Sequence, residues 1–410
     1  MELLTRPYDP AQADVRVEFG FARLEHAFRA ANRATADQWA ATAEILAEAR
    51  THPEVFVDPL ARLSAAERVE FAERAAAADI AVRLGLSESM VRAHAFDAET
   101  LRRRLPQVWS AFREGEVVVA NARCAAELVR TLPDHPHLNA AFDKQLARLT
   151  GLTPTRFRRR ARVLRERLHD MPLTERVKAA TETRDVWLDD DVDGMAHLTL
   201  RLDAVSAHRA FARIDTGARD LARLPGEQRT LAQLRADIAA GILLGTVSGA
   251  PATRVSIAVT VPVLTLLGRS DEPATLEGYG PVDAETARRL TAEAPSLTRL
   301  LTHPVSGALL DIDRTTYRVP ADLKRWLQLV DQTCRFTGCG RPARTSDIDH
   351  TVDFQYGGAT RADNLAHLCR HHHRLKHMTR WNVERDPGDP VRLTWTSPTG
   401  HRSTDDPPPF

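Results

Sequence analysis

Between Asp347 and His377 the chain reads DIDHTVDFQYGGATRADNLAHLCRHHHRLKH, and six of its 16 histidines fall there. Three of them, His371, His372 and His373, are consecutive. Successive residues of a helix point in different directions, so three imidazoles in a row cannot share one task. Two cysteine half-sites surround the stretch. Cys334 and Cys339 bracket a glycine-containing turn, CRFTGC, and Cys369 precedes His372 by three positions in LCRHHH. Two sulfurs on a turn, then a sulfur and an imidazole at a helix start, make a structural zinc pattern, because zinc takes four such ligands in a tetrahedron. Three buried reduced cysteines would fit the same residues. His371 competes with His372 for the fourth position, and the spacing from Cys369 favours His372.

Between the half-sites lies a more reactive set. If SDID is a strand, the adjacent Asp349 and His350 point to opposite sides. One can hold a metal while the other works on a water. Asn364 is expected just before a helix beginning near Leu365, where its amide can fix a loop through bonds to backbone. His373 and His377 are four apart and share a helical face. With Asp349 they form a candidate site for a divalent ion, leaving His350 beside it with the pKa range of a general base.

These residues need a scaffold, and 410 residues exceed one ordinary core, so two or three domains are expected. The net charge of +1 balances 56 basic against 55 acidic residues, so any nucleic-acid surface must be local. The opening MELLTRPYDP lacks the pattern of a signal peptide. The longest apolar run, Val255 to Gly268, is too short to span a membrane and contains a proline. A cytoplasmic protein is expected. Four cysteines in so long a chain do not make a disulfide framework, and Cys124 sits in a helical context as a small core residue.

The first half is rich in Ala, Arg, Leu and Glu, with helical periodicity over 14–50, 64–84, 87–95, 98–113, 117–131, 137–150 and 154–169. Ala81, Gly85 and Val91 have the spacing of a helix-turn-helix at 78–95, although Glu88 at the start of its second helix is a poor phosphate contact. A plain helical hairpin with a glycine cap is the favoured reading of the same residues. TPTRFRRRARVLRERLH, from Thr153 to His169, sets seven arginines against one glutamate. That helix either meets nucleic acid or pairs its arginines with acids elsewhere. From Met195 the texture turns mixed: a strand in MAHLTLRLD, helices over 204–224 and 227–245, a buried strand in RVSIAVTVPVLTLLG, then a hairpin and helix before Gln332.

Asp349-His350, Asn364 and His373, threaded between cysteine half-sites, resemble the HNH endonuclease motif in its ββα-metal form. CRFTGCGRPARTSDIDH through GGATRADNLAHLCRHHHRLKH is similar to an actinobacterial group with a long helical N-terminal domain of unknown function. The motif covers about 330–380, with a looser match in character over 30–320. The resemblance implies an α+β protein: a helical domain over 1–175, a mixed α/β part over 176–325, an HNH nuclease module over 326–385, and a strand pair with a proline-rich tail over 386–410. It implies a metal-dependent DNA endonuclease in which His350 activates water and Asn364 braces its loop. Asp349 and His373, with His377 as a third ligand, would hold one catalytic divalent ion such as magnesium or manganese. Cys334, Cys339, Cys369 and His372 would hold a structural zinc. Arg370, Arg374 and Lys376 would meet the DNA backbone, or only line a solvated face. Many relatives carry a cysteine where His372 stands and a closer first cysteine pair. The main alternative is a zinc-stabilised DNA-binding protein with an inactive nuclease fold. A weaker one is a helical platform for protein partners.

Overall fold

A computed structural model describes residues 10–191, 193–245, 259–276, 280–292, 319–386 and 389–405. The chain divides into two compact units, one of Met1–His169 with Leu301–Phe410, the other of Asp170–Leu300. Among the described residues the protein is mixed α+β and mostly helical, with small sheets. No helix among them is long and apolar enough to cross a membrane.

Among the described residues the first unit opens with seven α-helices: α1 (Pro10–Thr51), α2 (Ala65–Leu84), α3 (Glu88–Arg104), α4 (Pro106–Arg113), α5 (Val119–Arg130), α6 (Pro136–Ala147) and α7 (Pro154–Leu168). Local chemistry sets their ends. Ser64 and Glu67 form a reciprocal capping box at the start of α2, and Gly85 ends that helix in the left-handed conformation at φ 64°. Ser87 then accepts from the Met90 N–H and starts α3. The expected helices over 87–95 and 98–113 divide elsewhere, into Glu88–Arg104 and Pro106–Arg113. Phe96 and Asp97 do not interrupt the first. Pro106 does, because it lacks a donor and suits a first helical turn.

The second unit contains α8 (Leu173–Thr181), the hairpin β1 (Asp185–Asp190) and β2 (Ala196–Arg201), α9 (Ala204–Leu221), α10 (Leu231–Leu243), β3 (Val259–Thr260), α11 (Val263–Leu266), β4 (Ala274–Leu276), β5 (Gly280–Val282) and α12 (Ala284–Ala292). Asp215 of α9 pairs with Arg219 and with Arg235 of α10, so one carboxylate ties the two helices. The buried strand expected in RVSIAVTVPVLTLLG is corrected. Its residues 254–258 lie outside the described residues; among the described ones Val259–Thr260 is a strand, and Pro262 turns the chain into a short helix, since proline cannot continue a ladder. Residues 246–258, and 305–318 of the expected hairpin, lie outside the described residues.

The first unit resumes with α13 (Ala321–Asp331). It is followed by β6 (Asp347–His350), β7 (Leu365–Leu368), α14 (Arg370–Met378), β8 (Asn382–Asp386), β9 (Asp389–Thr396) and β10 (Arg402–Asp405). β6 and β7 are antiparallel, with Asp349 opposite Ala366 and His350 opposite Leu365. The helix expected from Leu365 is corrected here: Leu365–Leu368 is a strand, and the helix starts after Cys369. All four strand residues are buried, and a short run buried on both faces carries no period to separate strand from helix. The expected terminal strand pair is part of a three-stranded sheet ordered β10-β9-β8.

One hydrophobic core runs through this unit. Trp39, Phe71, Leu101 and Phe112 belong to it, as do Phe336, Leu368, Leu375, Trp381 and Trp395. The Trp381 indole N–H donates to the Ala75 carbonyl at 3.3 Å. The Arg380 N–H donates to the Phe56 carbonyl at 2.8 Å, and Val57 bridges to Thr379. Each large side chain so buried contributes roughly 1.5–3 kcal/mol. The β6–β7–α14 segment is thus seated on α2 and α3 by packing.

Candidate functional site

Two clusters of metal-capable side chains flank α14, and the order of residues on that helix separates them. Cys369 follows β7 and is the N-cap residue of α14 in extended conformation, with its sulfur beside Cys334 and His372. His372, one turn on, is buried on the same side. The ligand atoms of Cys334, Cys339, Cys369 and His372 all lie within 4.8 Å of one another. His372 Nδ1 is 3.2 Å from Cys369 Sγ and 3.5 Å from Cys334 Sγ. Four donors at tetrahedral bond lengths of about 2.0–2.3 Å stand roughly 3.3–3.8 Å apart, so this set could hold a metal ion. The cysteines are free thiols. Hydrogen bonds from Cys334 and Cys339 push the Cys369 thiol below its ordinary range. Phe336 stacks on the His372 ring at 4.0 Å and 8°.

His373 faces the other way. Its Nε2 is 3.3 Å from Asp349 Oδ1, and His377 Nε2 is 3.0 Å from the same oxygen. These three residues also bring one ligand atom each within 4.8 Å of the others, so a second metal-capable group sits on the opposite side of α14. Burial raises the Asp349 carboxyl, but hydrogen bonds with His373 and His377 and the charge of Lys376 outweigh it and hold it far below the usual range. The His373 imidazole is raised, chiefly by its hydrogen bond with Asp349.

His350 follows Asp349 on β6, and its ring turns away toward the β6–β7 loop. Its Nε2 is 3.1 Å from Thr360 Oγ1. Burial lowers its pKa, with the Asp349 charge opposing, so the neutral imidazole is favoured. Asn364 fixes that loop. The Val352 N–H donates to its Oδ1 at 2.9 Å, and its Nδ2 donates to the carbonyls of Val352 at 3.0 Å and Ala359 at 2.9 Å. The loop closes so tightly that a Cβ on Gly358 would stand 1.7 Å from the Val352 carbonyl oxygen. Only glycine fits that position.

The basic residues of α14 separate. Arg370 is exposed and lies 3.5 Å from Asp347. Arg374 lies over the Phe71 ring at 4.9 Å. Lys376, expected on the nucleic-acid side, is turned inward. Its Nζ donates to Asp349 Oδ2 at 2.6 Å, to the His350 carbonyl at 2.5 Å and to Asp353 Oδ1 at 3.0 Å. Its reach down the helix, with two acids below, explains the inward course.

Several contacts that matter here were not read from sequence. Asp347 is 3.2 Å from His373 Nδ1, and alternation on β6 puts it on the same face as Asp349, a legible signal. Asp353 shares Lys376. His371, which competed with His372 for the fourth zinc position, is partly buried with Nε2 3.0 Å from Glu88 of α3. Glu88 also meets His372 Nε2 at 2.7 Å. Burial raises the Glu88 carboxyl, yet hydrogen bonds with His371 and His372 hold it at about 2. No sequence spacing reveals a contact between residues so far apart. His367 is buried against Asp331, which also pairs with Arg335, a charged brace behind β7.

Uncharacterized protein Rv3776 of Mycobacterium tuberculosis is 29% identical over 376 residues, which cover 81% of this chain and 70% of that protein. Uncharacterized protein Rv2100 of the same organism is 28% identical over 393 residues, covering 81% of this chain and 69% of that protein. No solved structure matches the chain. A family described as "Domain of unknown function (DUF222)" matches residues 27–331. That span takes in Glu88 and stops at Asp331, ahead of Cys334, Cys339 and Cys369 and of the 347–377 stretch. Since it covers most of the 410 residues, the chain belongs to the DUF222 family.

Proposed function

We propose that the chain is a metal-dependent DNA endonuclease of the HNH type that hydrolyses phosphodiester bonds at the β6–β7–α14 segment. The observation that carries this reading is the convergence of Asp349, His373 and His377, with ligand atoms within 4.8 Å, beside a neutral-favoured His350 on the same strand. The order strand, braced loop, strand, helix is the one a ββα-metal module requires. A divalent ion such as magnesium or manganese, when bound there, supplies positive charge against the phosphate as the bond breaks. The chain's own groups do the rest. His350 accepts the proton of an attacking water, which at neutral pH is otherwise a poor nucleophile. Asn364 holds the loop that fixes the His350 ring. Arg370, exposed at the start of α14, offers a phosphate contact, and Arg374 lies one turn further. Cys334, Cys339, Cys369 and His372 suit zinc, which favours thiolate-rich tetrahedral sets. The test is plasmid nicking in magnesium or manganese by the wild type, His350→Ala and Asp349→Ala. Nicking by the wild type alone supports the reading. Its absence in both metals overturns it.

Lys376 favours a second reading. Its ammonium neutralises Asp349 and Asp353 together, which weakens their pull on a divalent ion. A DNA-binding protein with an inactive nuclease fold would bind DNA with a steep salt dependence and leave it uncut.

A further inference from the structure

The zinc set leaves one carboxylate without a task. Glu88 is the first residue of α3, in the helical part, 284 positions from His372. It is not the cap, because Ser87 already accepts from the Met90 N–H. An acid is favoured at a helix N-terminus, but that accounts for its charge and not for its aim. Its Oε1 lies 2.7 Å from His372 Nε2 and its Oε2 lies 3.0 Å from His371 Nε2. The other His372 nitrogen, Nδ1, faces the sulfurs of Cys334 and Cys369. An imidazole held against a carboxylate keeps its proton on that nitrogen. The Nδ1 lone pair is then left pointing at the sulfurs, as a metal ligand requires. Phe336, stacked on the ring, fixes its plane.

Glu88, His371 and His372 also lie close enough to hold an ion among themselves. Arg92 argues against that use. Its Nη2 donates to Glu88 Oε2 at 2.9 Å, so a guanidinium charge already occupies the oxygen a cation would need. His371 Nε2 spans both oxygens, 3.0 Å from Oε2 and 3.2 Å from Oε1, and the shorter contact of Oε1, at 2.7 Å, is with His372.

We propose that Glu88 is the positioning carboxylate of the C-terminal zinc site: it orients His372, so metal retention there depends on the turn between α2 and α3. The inference rests on the zinc reading of Cys334, Cys339, Cys369 and His372. It makes the helical part a working component of the metal site. It also gives the α2–α3 turn a task other than entering a DNA groove, since the start of α3 is packed against α14.

The experiment uses the full chain loaded with zinc and titrated with a chelator of known affinity, and cobalt(II) absorption as a separate report on ligand geometry. Glu88→Gln keeps the side-chain volume and Glu88→Ala removes it. Both are expected to weaken zinc binding about 10- to 100-fold and to alter the cobalt spectrum, with circular dichroism unchanged at saturating zinc. Arg92→Ala, which leaves both histidine contacts in place, is expected to retain zinc as the wild type does. If Glu88→Ala fails to fold, Glu88→Gln carries the test alone. Wild-type affinity and spectrum in Glu88→Gln would overturn the role of Glu88. A wild-type chain that binds no zinc would overturn the zinc reading beneath it.

Discussion

At the scale of the residue, the row His371–His373 resolves into three directions. His371 meets Glu88, His372 joins the sulfurs, and His373 joins Asp349. The residue proposed to move a proton, His350, is outside the row. Burial disfavours its imidazolium, so protonation requires a lower pH than for a free imidazole. A base works only when neutral. The acid limb of a nicking rate-against-pH profile should therefore fall below about pH 6.5, the ordinary histidine value. A limb well above that value would mean that a different group, or a charged His350, controls the rate. Much at this scale was legible: cysteine spacing, the i to i+4 pair of histidines and the loop-fixing amide of Asn364 follow from short-range rules, although the element after Asn364 is a strand and not the expected helix. What escaped was long-range, namely Glu88 against His372 and the inward course of Lys376. Both depend on which helix face is packed against which neighbour, and spacing along the chain carries no such information.

At the scale of the element, end signals are more legible than interiors. Gly85 and Ser64 mark their helix ends by conformation and by a capping box. Leu365–Leu368 hides its nature because a strand of four residues, all buried, has no period of its own. Pro106, rather than the acid at Asp97, ends α3 because a missing donor outweighs a weak propensity. The arginine-rich α7 has a test of its own. Its Phe157 and Ala161 are buried, while Arg156, Arg159 and Arg160 are exposed. If this face meets DNA, changing those three arginines to glutamine should weaken binding across sequences. The slope of log affinity against log salt should then drop by roughly one for each phosphate that is no longer neutralised. An unchanged slope would return α7 to the role of a solvated helix.

At the scale of the molecule, the C-terminal segment shares one core with the helical part of its unit. Composition predicts a helical beginning and a metal-rich end, but not that they are packed as one. The interactions responsible, Trp381 on α2 and Val57 bridging to Thr379, join residues that are remote in the chain. Trp381→Ala removes a buried indole and leaves a cavity, so it should cost roughly 3–5 kcal/mol in denaturant unfolding. Fluorescence and circular dichroism should report one shared transition for this unit. A loss under about 1 kcal/mol, or separate transitions for helices and C-terminal segment, would contradict the shared core.

The central claim, phosphodiester hydrolysis at Asp349, His350 and His373, is tested most directly by single-turnover nicking of supercoiled plasmid in manganese, with wild type and His350→Ala compared at equal zinc content. The account predicts nicking by the wild type that chelation abolishes, and a rate at least about 100-fold lower for His350→Ala. Equal rates would remove His350 from the mechanism, and DNA bound but uncut by the wild type would contradict the claim itself.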